Sequence, residues 1–256
     1  MPGYFCKGQA AAVSDTIFIA DIKNEKSLLT KTLFYFDSTC ALSVSEVIQK
    51  PFYRFNNRYP IIRVKPERIS STLYLKILLK NNTAKEISAY LDPGMYFTKY
   101  NIYKIEQQTI NIQDSGNAST YKKITLGAGS TCYFLLKIKP LKSAHGSINP
   151  ILINEDYLAE YKFFIAKQKS SIQIFGLVIS GILLMMILFM VANFIISRKT
   201  EFLFNAAYSL CMFLLIYFNS SLARTSDAFT NFYYAYFDFF LLVTGTFFIY
   251  RLPEGF

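Results

Sequence analysis

The sequence contains few side chains that are able to perform acid, base or nucleophilic chemistry at a shared site. Its one histidine, His145, lies beside Gly146 in the segment SAHGS. A serine or cysteine nucleophile needs a neighbouring base, and every arrangement with a histidine base would have to use this residue. No second histidine or nearby cysteine accompanies it, and the carboxylates are scattered. We therefore expect no catalytic residues, no metal site and no cofactor, and we interpret His145 as a surface residue.

The cysteines are too far apart in the sequence to indicate a metal site. Cys6, Cys40, Cys132 and Cys211 form no closely spaced pair of the kind that holds zinc. Cys211 lies within an apolar run, where a thiol packs as a small hydrophobic group. A disulfide between Cys40 and Cys132 would need an oxidising compartment, and the sequence leaves that pairing open.

One carboxylate occupies an unusual position near the C-terminal end. Asp238 follows the aromatic residues Tyr233, Tyr234, Tyr236 and Phe237 in an otherwise apolar segment. A carboxylate inside a membrane is costly and often functional. Tyrosines, however, favour the membrane interface, where a carboxylate is hydrated and needs no special role. Both interpretations of Asp238 stay open at this stage.

Two pairs of small or polar residues are spaced for contacts between helices. Gly176 and Ser180 are four residues apart, a spacing that lets two membrane helices approach closely. Asn205 and Ser209 have the same separation, and their side chains are able to hydrogen-bond to a neighbouring helix. We predict that all four are packing residues.

These residues lie in three long apolar segments that predict membrane spans. Residues 172–196 carry no charge over 25 positions. At about 1.5 Å per residue, a helix of that length crosses a hydrocarbon core of roughly 30 Å. Further spans are predicted at about 202–222 and 230–250, so we expect a multi-pass protein that contacts membrane lipid. The net charge of +10 comes entirely from residues 1–170, because the remainder of the chain holds four cations and four anions.

The basic first part of the chain has the pattern of short strands and turns. Residues 72–79 are rich in β-prone side chains, and Asp92-Pro93-Gly94 is typical of a turn. Ser43 and Glu46 have the spacing of a capping box, which predicts a short helix. About seven or eight short strands predict an antiparallel, jelly-roll-like β-sandwich over residues 30–155, followed by α-helical transmembrane segments. Residues 1–29 are predicted to be a separate N-terminal segment. Its three consecutive alanines are typical of the end of an export signal, but the apolar region that should precede them is missing, so either the true start lies upstream or the segment is not a signal.

The domain's basic charge is consistent with acidic ligands or anionic lipid head groups, or with a lysine-rich composition that has no partner. The sequence has no phosphate loop, basic helix or zinc spacing, so we expect no nucleic-acid partner.

Residues 156–171 connect the predicted sandwich to the first span. They contain no glycine or proline, and Tyr157, Leu158, Tyr161 and Ile165 are spaced as on one face of a helix. Two interpretations are open. The segment is a stiff connector that runs into the span, or it lies at the interface with its lysines on lipid head groups.

The order and spacing of six segments resemble a family of bacterial receptors. These segments are LFYFDSTCALSVSEVIQKPF, TLYLKILLKNN, ITLGAGSTCYFLLKIKP, PILINEDYLAEYK, EFLFNAAYSLCMFLLIYFNSSL and FLLVTGTFFIYRL. Over about residues 30–256 the chain resembles the seven-transmembrane receptors with diverse intracellular signalling modules, specifically their second type of extracellular domain and first three membrane helices. Tyr74 stands where that family often has tryptophan.

The resemblance implies a sensor in the bacterial inner membrane with its β domain outside the cytoplasm. The family's outer domains look like carbohydrate-binding modules, so a glycan is the implied ligand. Tyr96, Tyr100 and Tyr103 are candidates for stacking on a sugar ring, although core packing explains them equally well. The implied output module, such as a histidine kinase or diguanylate cyclase, would lie beyond Phe256. The alternative is a membrane-anchored β-sandwich that binds a partner without signalling; a homodimer is left open.

The predicted topology places Arg198 and Lys199 in the cytoplasm. A single cysteine introduced by Thr200→Cys should therefore resist a membrane-impermeant thiol reagent in intact cells and react after the cells are permeabilised. Ready labelling in intact cells would reverse the orientation.

Overall fold

The computed structural model describes residues 15–54, 62–63, 66–68, 70–94, 97–106, 109–114, 120–141, 147–222 and 228–251. The chain divides into two compact units. The first comprises Met1–Lys162 and Arg224–Asn231, and the second comprises Phe163–Ala223 and Phe232–Phe256. The first unit contains β-sheets and the second contains long helices.

Most of the first unit is built from short strands. Its described residues form β1 (Ile17–Phe18), β2 (Glu25–Ser27), β3 (Leu33–Asp37), β4 (Tyr53–Arg54), β5 (Ile62–Arg63), β6 (Thr72–Lys80), β7 (Ile87–Asp92), β8 (Phe97–Glu106), β9 (Thr109–Asp114), β10 (Lys122–Leu126), β11 (Thr131–Pro140), β12 (Ser147–Ile148) and β13 (Ile151–Asn154). One α-helix, α1 (Val44–Ile48), and three single 3-10 turns lie between them.

The strands form two main sheets. Sheet A has the strand order β4-β3-β6-β11-β8-β9, with β1 paired in parallel to the end of β6. Sheet B has the order β10-β7-β13-β2, and β12 pairs separately with β5. Every described pairing except that of β1 is antiparallel. The structure thus confirms the predicted antiparallel β domain.

The hydrophobic core lies between sheets A and B. Successive side chains of a strand point to opposite faces of its sheet, and Leu73, Leu75 and Ile77 of β6 all lie on the core face with no exposed surface. Leu91 and Leu152 of sheet B belong to the same buried cluster. Apolar side chains on every second residue of each strand therefore produce a two-layered domain.

A smaller apolar cluster covers part of the opposite face of sheet A. It contains Leu33, Val47, Phe52, Tyr74 and Leu135, so α1 lies over this part of the sheet. The capping box predicted for α1 is present. The Ser43 hydroxyl accepts a hydrogen bond from the Glu46 backbone N–H at 3.4 Å, and the Ser43 N–H donates to a Glu46 carboxylate oxygen at 2.7 Å.

The β domain begins before residue 30, where the sequence predicted a separate segment. The buried core includes Ile17, Ile19, Ile22, Leu28 and Leu29. β1 pairs with β6, and β2 pairs with β13. These strands are only two and three residues long, too short for a sequence pattern to distinguish them from a loop. Their pairing with distant strands gives them their place in the domain.

The pairing of β8 with β9 contains an extra residue, Gln113 of β9, whereas β8 keeps its register with β11 through Ile102 and Tyr103. In the structure, the register between β8 and β9 shifts between Ile102 and Tyr103. Such a shift locally bends and twists a sheet.

The second unit is helical. α2 (Leu158–Ser197) begins in the first unit and continues without interruption to Ser197; α3 (Thr200–Ser221) follows it. α4 (Ala228–Phe232), a π-helical turn (Tyr233–Phe237) and α5 (Asp238–Tyr250) then form one stretch. Within the part of the chain that the structure describes, three helices are long and apolar enough to cross a membrane: Gln173–Ser197, Thr200–Ser221 and Phe229–Tyr250. These bounds lie within two residues of the predicted spans.

The connection between α2 and α3 consists of Arg198 and Lys199. Arg198 has a left-handed backbone conformation with φ of 55°. Its N–H donates a hydrogen bond to the Phe194 carbonyl oxygen at 2.8 Å, as is common where a helix ends in this conformation. So short a connection makes α2 and α3 neighbours.

Candidate functional site

The structure separates the three tyrosines that the sequence suggested as ligand contacts. Tyr96 lies outside the described residues. Tyr100 is 1% exposed and packs edge-on against Phe97 with ring centroids 4.7 Å apart, so core packing is the role that the structure shows. Lys122, also buried, donates a hydrogen bond to the Tyr100 carbonyl oxygen at 3.0 Å. Tyr103 is half-buried and belongs to the opposite side of sheet A.

Tyr103 belongs to a surface that we call the outer face, the side of sheet A opposite the core. Its residues on the three central strands are Tyr74, Lys76 and Leu78 of β6, Tyr133, Leu135, Lys137 and Lys139 of β11, and Lys99, Asn101, Tyr103 and Ile105 of β8. Strand pairing sets them in rows across the sheet. Lys137 lies between Tyr74 and Asn101, and Tyr133 lies between Leu78 and Ile105.

Two lysines on the outer face lie over aromatic rings. The Lys76 ammonium nitrogen is 4.5 Å from the centre of the Tyr133 ring and 5.4 Å from that of Phe52. The Lys137 nitrogen is 5.6 Å from the centre of the Tyr74 ring. A cation is attracted to the negative face of such a ring. Within the described part of the chain, no carboxylate forms a salt bridge with either lysine.

Burial lowers the pKa of Lys76 because water no longer fully surrounds its charge.

Lys99 and Lys139 lie directly opposite each other on β8 and β11, and both are exposed. Like charges in such a pair repel. The outer face therefore carries positive charge that the residues described here do not neutralise.

Asn101 contributes the polar group nearest to Tyr103. Its side-chain N–H donates a hydrogen bond to the Tyr103 hydroxyl at 3.4 Å. The side-chain carbonyl oxygen of Asn101 is buried and has no hydrogen-bond donor among the described residues. Together, half-buried tyrosine rings, lysines and this amide offer stacking surfaces, cations and a polar contact. Such a set suits non-covalent binding.

A second cluster is located where α2 leaves the β domain. Tyr161, in the first turn of α2, is 5% exposed and packs perpendicular to Tyr121, with ring centroids 6.1 Å apart. The Lys162 ammonium lies 5.3 Å from the centre of the same Tyr121 ring. These contacts within the first unit fasten the start of α2 to the end of the sheet at which β10 begins.

Asp92 is a buried carboxyl group beside this cluster. Burial raises its pKa to about 7, although its Oδ1 accepts a hydrogen bond from the Gly94 N–H at 3.0 Å. Burial, together with the negative charge of Asp92, raises the pKa of Tyr121 to about 12 and also raises that of Tyr161. The sequence identified Asp92 only as a turn residue, because an Asp-Pro-Gly segment gives no sign of burial.

Gly176 lies at a close contact between α2 and α3. A Cβ atom added to Gly176 would lie 2.4 Å from the Ser220 Cβ, so the contact excludes any larger residue. Ser180 is buried one turn later, and its hydroxyl has no partner among the described residues.

The other intramembrane candidates occupy different positions. The Asn205 side-chain N–H approaches the Met190 sulfur of α2 at 3.8 Å, and Ser209 is buried. Asp238 begins α5, and its Oδ1 accepts a hydrogen bond from the Phe239 N–H at 2.6 Å. Both interpretations of Asp238, a functional carboxylate and a hydrated interfacial one, stay open.

Cys40 and Cys132 are both free thiols in the structure. Cys40 is exposed and donates to the Ser70 carbonyl oxygen at 3.1 Å. Cys132 is buried and donates to a Glu106 carboxylate oxygen at 2.8 Å, and burial raises its pKa to about 11. The disulfide that the sequence left open is not formed here.

No protein-family model and no curated protein matches the chain. Among solved structures, a β-glucosidase from Kluyveromyces marxianus matches 56% of this chain with 14% identity and a TM-score of 0.32. This chain covers only 18% of that enzyme. The family 32 CBM from C. perfringens NanJ, in complex with galactose, matches 51% of this chain and 99% of its own length, with 12% identity and a TM-score of 0.23. CBM35 from Paenibacillus barcinonensis matches 50% of this chain and 94% of its own length, with 11% identity and a TM-score of 0.19. At these scores the likeness assigns neither a fold family nor a ligand to the chain.

The raised pKa of Asp92 predicts a pH-dependent stability. The ordinary value is 3.8 and the folded value is about 7, so between these limits the folded state binds more protons than the unfolded state. The contribution of Asp92 to the free energy of unfolding therefore falls as the pH rises from about 4 to about 7 and is then constant. Asp92→Asn should remove this loss, which is on the order of 4 kcal/mol at most.

The melting temperature is measured by calorimetry of the full chain in detergent. At pH 8, Asp92→Asn should melt at a higher temperature than the parent chain, and near pH 4 the two should melt at the same temperature. Asp156→Asn, at an exposed site, is the matched control and should leave the pH profile unchanged. If the melting temperatures of Asp92→Asn and of the parent chain change with pH in the same way, Asp92 is not held neutral in the folded state.

Proposed function

We propose that the chain is the sensory and membrane part of a bacterial signal-transduction receptor. Its β domain binds an extracytoplasmic, carbohydrate-like ligand, and its helices relay that event to a cytoplasmic output module outside these 256 residues. The chain itself catalyses no reaction. The observation that supports this proposal most strongly is α2, one helix from Leu158 to Ser197 whose first turn packs on the β domain.

The start of α2 has the properties of a mechanical connector. No glycine or proline interrupts it before Gly176, so each backbone N–H from its second turn onward has a helical partner. Tyr161 is buried against Tyr121, and a displacement of β10 would therefore move the first turn of the helix. A flexible tether would absorb such a displacement, whereas a helix passes it along its axis.

The outer face supports a binding role for the β domain. Tyr103 and Tyr133 are half-buried, so part of each residue is exposed to solvent. Rings of this kind stack on the apolar faces of sugars. The family resemblance implies the same ligand class, and it also supplies the proposed orientation, with the β domain outside the inner membrane.

The relay is tested by breaking the connector inside its first turns. In the receptor expressed from its intact gene, a panel of oligosaccharides is first screened for compounds that change the output. Insertion of Gly-Ser-Gly-Ser after Glu160 should abolish the response to such a compound without weakening its binding, because the insert replaces helix with flexible chain. Insertion of four alanines at the same position is the length-matched control and should retain a response, because alanine continues the helix.

Full response in the Gly-Ser-Gly-Ser variant would contradict the connector. If oligosaccharides bind but none changes the output of the parent receptor, the chain is instead a membrane-anchored binding module. If none binds, the proposed ligand class is wrong.

A further inference from the structure

The charge of the outer face points to a narrower class of ligand. Four lysines, Lys76, Lys99, Lys137 and Lys139, occupy this face on three adjacent strands. A neutral sugar needs no such cations, because hydroxyl groups and ring faces are recognised by polar and aromatic side chains. Stacking of a sugar on aromatic rings therefore does not explain why these lysines lie on the same face.

Two carboxylates of sheet A, Asp37 and Glu106, are engaged in other contacts. Asp37, on the neighbouring strand β3, is 2% exposed. Its Oδ1 accepts a hydrogen bond from the Thr39 N–H at 2.9 Å, and its Oδ2 accepts one from the Leu42 N–H at 3.1 Å. Glu106, at the end of β8, pairs with Lys104 at 2.8 Å. Neither group balances the charge of Lys76 or Lys137.

An anionic group of a ligand would stabilise the charge of Lys76. Its ammonium group lies between the rings of Tyr133 and Phe52, where it has lost part of its hydration. Taking a charge out of water is costly, and an opposite charge within hydrogen-bonding distance recovers part of that cost. A carboxylate that reaches Lys76 would also lie beside the Tyr133 ring.

The pairing of the strands sets the distances over which a ligand would extend. Tyr133 and Lys137 are four residues apart on β11, which corresponds to about 13 Å along the strand. Tyr103 is on the neighbouring strand, opposite Leu135. The face thus carries two tyrosines and two lysines over a length that suits an oligosaccharide of several rings that bears charges.

We propose that the outer face binds an acidic oligosaccharide, with carboxylate groups at Lys76 and Lys137 and sugar rings against Tyr103 and Tyr133. This inference rests on the proposed function and specifies its ligand. Flexible phosphate-bearing lipids offer the charge without the rings. Nucleic acids offer both, but the proposed location of the domain outside the cytoplasm makes a saccharide the better fit.

The test uses the full chain in detergent and three carboxylated probes: oligogalacturonate, oligomannuronate and a hyaluronan oligosaccharide. Each is compared by titration calorimetry with its carboxyl-reduced form, which keeps the rings and removes the charge. At least one acidic probe should bind, and its reduced form should bind about tenfold more weakly or worse, the loss expected for a charged hydrogen bond. Raising the salt concentration should weaken only the acidic form.

Three variants locate the site. Lys137→Gln, and separately Lys76→Gln, should weaken the acidic probe about tenfold and leave the reduced probe unchanged. Tyr133→Leu should weaken both forms, because it removes a ring. Lys26→Gln is the matched control on β2 of sheet B, where Lys26 is exposed, and it should bind like the parent chain. Each variant is first shown to melt at the parent's temperature; Lys137→Gln, at the less enclosed lysine, keeps the test valid if Lys76→Gln unfolds.

Four results would overturn the inference. The first is failure of all three acidic probes, and the second is equal binding of the reduced forms, which would leave a neutral-sugar sensor standing. The third is an effect of Lys26→Gln as large as that of Lys137→Gln. The fourth is equally lysine-dependent binding of phosphatidylglycerol vesicles or oligothymidine, which would assign the surface to lipid or nucleic acid.

Discussion

The structure depends on one constraint, the need of backbone N–H and C=O groups in lipid to pair within their own segment. Water is absent there, so an apolar run of membrane-spanning length must be helical. In α2 the helix does not stop at the apolar run. It extends back to Leu158 because no residue before Gly176 breaks it. The membrane requirement thus fixes the conformation of the span, and uninterrupted sequence carries that conformation to Tyr161, which is buried on the β domain.

The β domain uses the two faces of sheet A for different purposes. Leu75 and its neighbours on one face form the core with sheet B, and this burial stabilises the domain. On the other face, α1 and Phe52 cover only part of the surface. Tyr133 and Lys137 remain half-buried beside them. Residues that form the core and residues of the proposed binding surface therefore alternate along the same strands. A residue of the proposed binding surface can be substituted without leaving a cavity in the core.

Much of the fold was predictable because the relevant signals are local. Apolar length indicated the spans, and Ser43 with Glu46 indicated the start of α1. The proposed binding face was not predictable. Tyr100 and Tyr103 are three residues apart, and an odd separation places them on opposite faces. The sequence does not reveal which face is the core, because Leu33 and Leu135 make the outer face apolar too. Asp92 and Lys122 are buried by contacts with distant residues, which no local pattern encodes.

The β domain and the first span share one continuous helix, α2. Amide hydrogen exchange of the full chain in lipid nanodiscs measures this directly, because exchange requires a backbone hydrogen bond to open. We predict that amides from about residue 162 to residue 172 exchange slowly, in continuity with the span that begins at Gln173. Rapid exchange in that segment, with protection on both sides of it, would show a flexible break and contradict the claim.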